Sequence, residues 1–345
     1  MACKMKNEYI RSNMFISFIV PVYNGEVYLA ECLDSLFRQG VPEETYEVIV
    51  VDDGSTDGTR DILASYSAAK SNFWFFTQDH RGVSAARNLG LREAQGDYVW
   101  FVDADDFIQD NAIDELMKIT DNRKIDRVIF DAYQFTEELT TEEMEKKASG
   151  RICTNSGSGA VAVWASIFRR LFLIEHGKAF NEGLSMAEDT LFLYELQFAR
   201  PEQFCFHKVL YFWRRNPTST TMSETKITQL SSMESRLRFM TQMKEYYQNR
   251  KGDLAQCADY LMSNLWPYLM NTAGLDRKSS REALRRVKEI GLFPIRRPPE
   301  CTLRKTYMST RTDLFGKVFD FIGTHLHRRW GFAVMRLYNL IKRSR

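Results

Sequence analysis

The chain has 345 residues, 44% hydrophobic and 27% charged, a composition that excludes wholesale disorder. Its formal net charge of +2 argues by itself against a dedicated nucleic-acid binder, but the near-neutrality is a cancellation. Residues 296–345 hold twelve Lys/Arg against three Asp/Glu, an excess of nine positive charges, while residues 1–295 carry an excess of seven negative ones.

The predicted elements alternate over the first 135 residues. Ile16–Val22 is a short apolar run rich in β-branched residues and predicts a strand. Glu26–Arg38 has helical spacing through Tyr28, Leu29, Cys32, Leu33, Leu36 and Phe37. Tyr46–Val51 predicts a second strand, Thr59–Ala69 a helix, Phe73–Thr77 a strand, and Val83–Ala94 a helix. Tyr98–Val102 follows as strand, Asn111–Thr120 as helix and Arg127–Tyr133 as strand. Buried strands alternating with amphipathic helices imply βαβ units and a mostly parallel sheet. Such sheets collect ligands at the carboxyl ends of their strands.

Thr136–Gly159 is polar and reads as a loop. Ala160–His176 predicts a helix that stops at Gly177, a residue suited to the C-cap. Asp189–Phe198 predicts another helix, with Ser185-Met186-Ala187-Glu188 fitting a capping box at its start. Phe204–Trp213 predicts a strand, with the aromatic run Tyr211–Trp213 expected in the core. Beyond Thr225 the sequence turns helical and rich in Lys, Glu, Gln and Met, so the domains are expected at 1–225 and 226–345. No run reaches the ~18 apolar residues of a membrane span, and Phe15–Val22 is too short for a secretory signal. The six scattered cysteines form no C-x-x-C pair, which suggests free thiols and a cytoplasmic location.

Three predicted strands end in small or acidic residues. The first gives Pro21-Val22-Tyr23-Asn24-Gly25, the second Asp52-Asp53-Gly54-Ser55-Thr56-Asp57-Gly58, and the fourth Asp103-Ala104-Asp105-Asp106. Each alone can be a turn or a helix cap. Together, after parallel strands, they gather carboxylates along one sheet edge, where like charges repel unless a cation is bound. Asp103 and Asp105 can present oxygens to Mg²⁺ or Mn²⁺. Neither G-x-x-x-x-G-K-[ST] nor G-x-G-x-x-G follows the first strand, which counts against P-loop and dinucleotide readings.

These segments, with Gly82-Val83-Ser84-Ala85-Ala86-Arg87-Asn88, resemble the motifs of family 2 glycosyltransferases and occur in that family's order. Phe168-Arg169-Arg170 and Glu188-Asp189 resemble its second half, so the likeness covers about residues 15–220. The resemblance implies a GT-A fold, Rossmann-like with a mostly parallel central sheet flanked by helices, here followed by a helical C-terminal extension. It implies a metal-dependent inverting enzyme using a nucleotide-sugar donor, UDP by family habit with GDP or dTDP open. Pro21, Tyr23 and Asp53 would hold base and ribose, and Asp103 the ribose or the metal. Asp105 would be the direct metal ligand and Asp189 the catalytic base. Arg87 would approach the nucleotide, or else be a surface residue of its helix. Asp106 reads as a cap of the next helix, His207 as structural, and Arg214 or Arg215 as diphosphate-facing or solvated.

The expected acceptor is a hydroxyl of a glycan or lipid-linked oligosaccharide in bacterial surface-polysaccharide synthesis. The alternatives are transfer to polyprenyl phosphate and a non-catalytic nucleotide-sugar-binding module. The sequence says nothing of oligomeric state. His325–Lys342 has an apolar stripe (Leu326, Trp330, Ala333, Val334, Leu337, Leu340, Ile341) opposite Arg329, Arg336 and Arg343. That pattern predicts contact with an anionic membrane surface or packing on the catalytic domain.

Overall fold

The computed structural model describes residues 14–121, 124–135, 162–184, 188–215 and the isolated positions 237, 240, 241, 285, 286 and 289. The chain divides into two units, Met1–Ser223 and Glu224–Arg345. The amphipathic segment His325–Lys342 and the loop read over Thr136–Gly159 lie outside the described residues.

Every residue of β1 (Ile16–Val22) and β2 (Tyr46–Asp52) is buried, as expected of strands covered on both faces. They pair in parallel, with β3 (Phe73–Thr77) beyond β2 and β4 (Tyr98–Phe101) on the other side of β1. Successive residues point to opposite faces. Phe18, Val20, Val48 and Val50 pack on α1 (Leu29–Phe37) and α4 (Ala112–Thr120), whereas Ile19, Ile49, Val51 and Phe101 pack against helices of the other layer. Those are α3 (Val83–Glu93), α5 (Arg170–Glu175) and α6 (Glu188–Phe198). Helix α2 (Thr59–Ala69) follows β2.

The second half departs from the sequence reading. Within the expected helix Ala160–His176, the residues from 162 onward form a 3₁₀ turn at Val163–Ala165, then β7 (Ser166–Arg169), and only then α5. Ile167 and Phe168 are both fully buried, one in each core layer. A run apolar on both sides has no two-residue period, so spacing could not separate strand from helix. The helix does stop at Gly177, which has φ +58°. Gly177 N donates to Ile174 O at 3.0 Å and Lys178 N to Leu173 O at 2.8 Å, closing the helix through a left-handed residue.

Strand β7 inserts antiparallel between β4 and β6 (Arg127–Phe135); β8 (Gln203–Arg214) runs parallel to β6, and β5 (Phe107–Ile108) is antiparallel to β8. The eight-stranded order is β3-β2-β1-β4-β7-β6-β8-β5. The expected mostly parallel sheet is therefore parallel from β3 to β4 and mixed beyond. The sheet reverses at β7, which pairs antiparallel with β4, and the Asp103-Ala104-Asp105-Asp106 turn begins at the carboxyl end of β4.

Candidate active site

The loops after β1 and β2 are clasped to one another. Asn24, at φ 52°, accepts from Thr56 N at 2.8 Å through Oδ1 and donates its own N–H to Ser55 Oγ at 2.9 Å. Gly25 N donates to Thr59 Oγ1 at 2.9 Å, and Gly58 N to Glu26 Oε2 at 2.7 Å. Asp57 accepts from Thr59 N at 3.1 Å and from its hydroxyl at 2.6 Å. Burial opposes the ionised Asp57, but these donors outweigh it and hold its carboxyl below the usual range. Much of the two motifs thus builds the strand ends rather than a ligand contact.

Asp53 is buried and saturated. Its Oδ1 accepts from Gln78 Nε2 at 2.7 Å and Arg81 N at 2.8 Å; its Oδ2 accepts from Gly82 N at 2.8 Å and lies 2.9 Å from His80 Nδ1. A carboxylate has about four lone-pair directions, so the base contact expected of Asp53 competes with four donors already in place. Its work in this structure is to fold the loop after β3. That loop brings His80 against Tyr23, ring centroids 4.2 Å apart, and both side chains are exposed. Pro21 is buried in β1 opposite Val51; the strand end exposes Tyr23 instead. The loop of Gln78 and His80 also follows a parallel strand, and Asp79 within it is the acidic signal in the sequence that marks it.

Arg87 is the hub of the acidic cluster. It is buried, not a surface residue of α3, and its guanidinium bonds Asp103 Oδ1 and Glu188 Oε1, each at 2.8 Å. Phe180 lies beneath it, 5.2 Å from Cζ to the ring centroid. Burial works against the Arg87 charge, but Asp103 and Glu188 outweigh it and hold the proton more firmly. Glu188, read as the far half of a capping box, spends its carboxylate on Arg87; Ser185 lies outside the described residues. Asp189 stands next to this pair, accepting from Thr190 N at 2.6 Å. Burial, then the charge of Glu188, push its carboxyl up to about 7, with Arg87 pulling the other way.

The turn after β4 holds three carboxylates in different states. Asp103 faces Arg87. Asp106 is buried, accepting from Tyr211 Oη at 2.6 Å and Arg214 N at 2.7 Å. Since β5 follows it, Asp106 ties the turn to β8 and caps no helix. Asp105 is pushed up to about 6 by burial and then by Asp103, the behaviour of a carboxylate whose charge is not neutralised in place. Arg214 sits beneath, donating Nε–H to Asp105 O at 3.0 Å and pairing with Glu31. It therefore supports the turn rather than facing a diphosphate, while Arg215 is exposed. His207 is exposed on β8, 3.8 Å from Asp131, and Trp213, expected in the core, is 39% exposed.

Among the described residues no group of three or more ligating side chains could hold a metal alone. Asp103, which also pairs with Arg87, and Asp105 carry carboxylate oxygens of the kind that a hard cation takes together with water and substrate phosphate oxygens. Of the sequence candidates, Arg87, Asp103 and Asp189 are brought together directly with Asp105 on the adjoining turn, while Tyr23, Pro21 and Asp53 line the neighbouring ends of β1 and β2.

Residues 17–177 match the model of glycosyl transferase family 2. The chain is 26% identical over 290 residues to the uncharacterized glycosyltransferase EpsJ of Bacillus subtilis, covering 80% of this chain and 83% of that one. Poly(ribitol-phosphate) beta-N-acetylglucosaminyltransferase TarS of Staphylococcus aureus is 32% identical over 181 residues, 52% of this chain but 32% of its own length. The crystal structure of TarS 1-349 in complex with UDP-GlcNAc shares the fold, with TM-score 0.64 and 22% identity over 81% of each chain. Mannosyltransferase PcManGT from Pyrobaculum calidifontis, solved with GDP-Man and Mn²⁺, aligns with TM-score 0.52 and 16% identity over 96% of this chain and 89% of its own.

Proposed function

From the match of residues 17–177 to the glycosyl transferase family 2 model, we propose that the chain is a GT-A enzyme that moves a sugar with inversion from a UDP-sugar to a hydroxyl of a glycan or lipid-linked oligosaccharide. Cell-surface polysaccharide synthesis at the cytoplasmic face of a membrane is the proposed setting. One observation carries the reading: Asp189, its carboxyl pushed up to about 7 by burial and Glu188, stands in the Arg87–Asp103–Glu188 cluster at the carboxyl end of β4. A base is most effective when its pKa lies near the working pH. Inversion is a single displacement in which the acceptor hydroxyl attacks opposite the leaving diphosphate, and Asp189 takes the hydroxyl proton. That raised pKa also favours a hydroxyl acceptor over polyprenyl phosphate, which is already ionised and needs no base.

The exposed Tyr23 ring, backed by His80, provides a flat surface for the base, and Asp53 and Pro21 hold that wall in shape. Asp103 and Asp105 would hold Mg²⁺ or Mn²⁺ with the donor diphosphate; when bound, the cation stabilises negative charge on the leaving group. Arg87 acts here as a positioning residue, fixing Asp103 and Glu188 beside the base. UDP is favoured because the TarS structure holds UDP-GlcNAc, and GDP is the alternative because the mannosyltransferase holds GDP-Man.

The test is Asp189→Asn. Transfer should fall by about 10²–10⁴-fold, while the thermal shift produced by UDP with Mn²⁺ is retained. Unchanged turnover would overturn the assignment of the base.

A further inference from the structure

Strand β8 leaves one large aromatic side chain outside the core. Phe212 is fully buried and Arg214 nearly so, yet Trp213 between them is 39% exposed. Tyr211 and Trp213, two apart, share one face of the sheet, and Phe212 packs on the other side, stacked on Phe107 at 5.0 Å. Trp164, from the turn before β7, lies across both: its ring is 4.6 Å from Tyr211 at an interplanar angle of 14°, and 6.0 Å from Trp213 at 28°. The turn is pinned by Trp100 Nε1, which donates to Trp164 O at 2.8 Å. The three rings form a near-parallel stack whose outer member is open to solvent.

The stack is joined to the acidic site. The Tyr211 hydroxyl accepts from Asp103 N at 3.1 Å and donates to Asp106 Oδ2 at 2.6 Å. A ligand seated on the Trp164–Trp213 surface would therefore be one ring away from the turn that carries Asp103 and Asp105. The electron-rich faces of indoles attract polarised C–H groups and shed water readily, and a pyranose presents such C–H groups on one face while its hydroxyls stay solvated. A flat aromatic surface beside carboxylates suits a ring sugar better than a linear polyol or an anion.

We propose that Trp164 and Trp213 form an acceptor platform on which a pyranose ring of the acceptor glycan stacks. The proposal rests on the glycosyltransferase reading above and narrows its acceptor to a chain of ring sugars.

Saturation-transfer difference NMR on the full chain, with UDP and Mn²⁺ present and cellotetraose, chitotetraose or ribitol 5-phosphate as probe, tests it. One of the two oligosaccharides should give a signal that Trp213→Phe keeps and Trp213→Ala reduces at least fivefold. The thermal shift with UDP serves as a control for the fold and the donor site in each variant. If UDP shifts the protein but neither oligosaccharide gives a signal, or Trp213→Ala keeps it, the platform is refuted and the donor reading stands. A Trp213-dependent signal from ribitol 5-phosphate alone would refute the ring-sugar class. Wild-type protein with no UDP shift would overturn the nucleotide-sugar reading and the platform with it.

Discussion

Arg87 joins two carboxylates separated in sequence by 85 residues, Asp103 and Glu188, through bonds of 2.8 Å each. Its side chain is only 5% exposed, against 31% for Asp103 and 13% for Glu188, so removing it strands buried negative charge. Breaking a buried pair from one side costs on the order of 3 kcal/mol. Arg87→Ala should therefore lower the urea midpoint by that equivalent, and Arg87→Lys, which cannot fork between two carboxylates, should recover only part. Asp189 sets the pH behaviour. Its folded pKa of about 7 lies above the unfolded value, so the stability it contributes is present at acid pH and lost as pH rises through about 7. Asp105 behaves likewise through about 6. The same deprotonations create the base and the cation site, so transfer should rise with pH through about 7. The thermal shift given by Mn²⁺ with UDP should be larger at pH 8 than at pH 5.5; a flat pH–rate profile would contradict the role of Asp189.

At the scale of elements, α3 delivers Arg87 and α6 delivers Glu188 and Asp189, and each is held by packing on the same face of the sheet. Gly90 allows α3 its close approach: a Cβ there would meet Ile19 Cγ2 at 2.3 Å. Gly90→Ala should push α3 off β1, destabilise by about 1–3 kcal/mol through overpacking and reduce transfer by displacing Arg87. Differential scanning calorimetry and donor turnover on one preparation check both effects, and undiminished turnover would detach Arg87 from the chemistry. The elements through β4 were legible in the sequence because their strands are short, uniformly apolar and flanked by amphipathic helices. Strand β7 was not, since its four residues run directly into α5 with no turn residue between them. The shared duty of Asp53 and Asn24 in shaping loops was hidden for another reason: their partners lie about 30 residues away.

Across the whole molecule, the charge asymmetry is the ground for proposing a different task for each end of the chain. The carboxylates at the strand ends contribute to the acidic excess of residues 1–295, and the described residues contain no helix long and apolar enough to cross a membrane. Each basic residue near an anionic bilayer contributes about 1 kcal/mol, so the excess of nine in residues 296–345 would suffice for peripheral attachment. Deleting 296–345 should abolish co-sedimentation with anionic vesicles; retained binding would locate the contact elsewhere. The sequence by itself determined the α/β class, the likeness to family 2 glycosyltransferases and the identity of the acidic strand ends, because these rest on local periodicity and on motifs a few residues long. Only the tertiary structure decided that Arg87 is buried between two carboxylates, that Asp53 is saturated by the loop after β3, and that Trp213 faces solvent. Each depends on groups distant in sequence, and whether a polar group is free, paired or exposed is set by what packs against it.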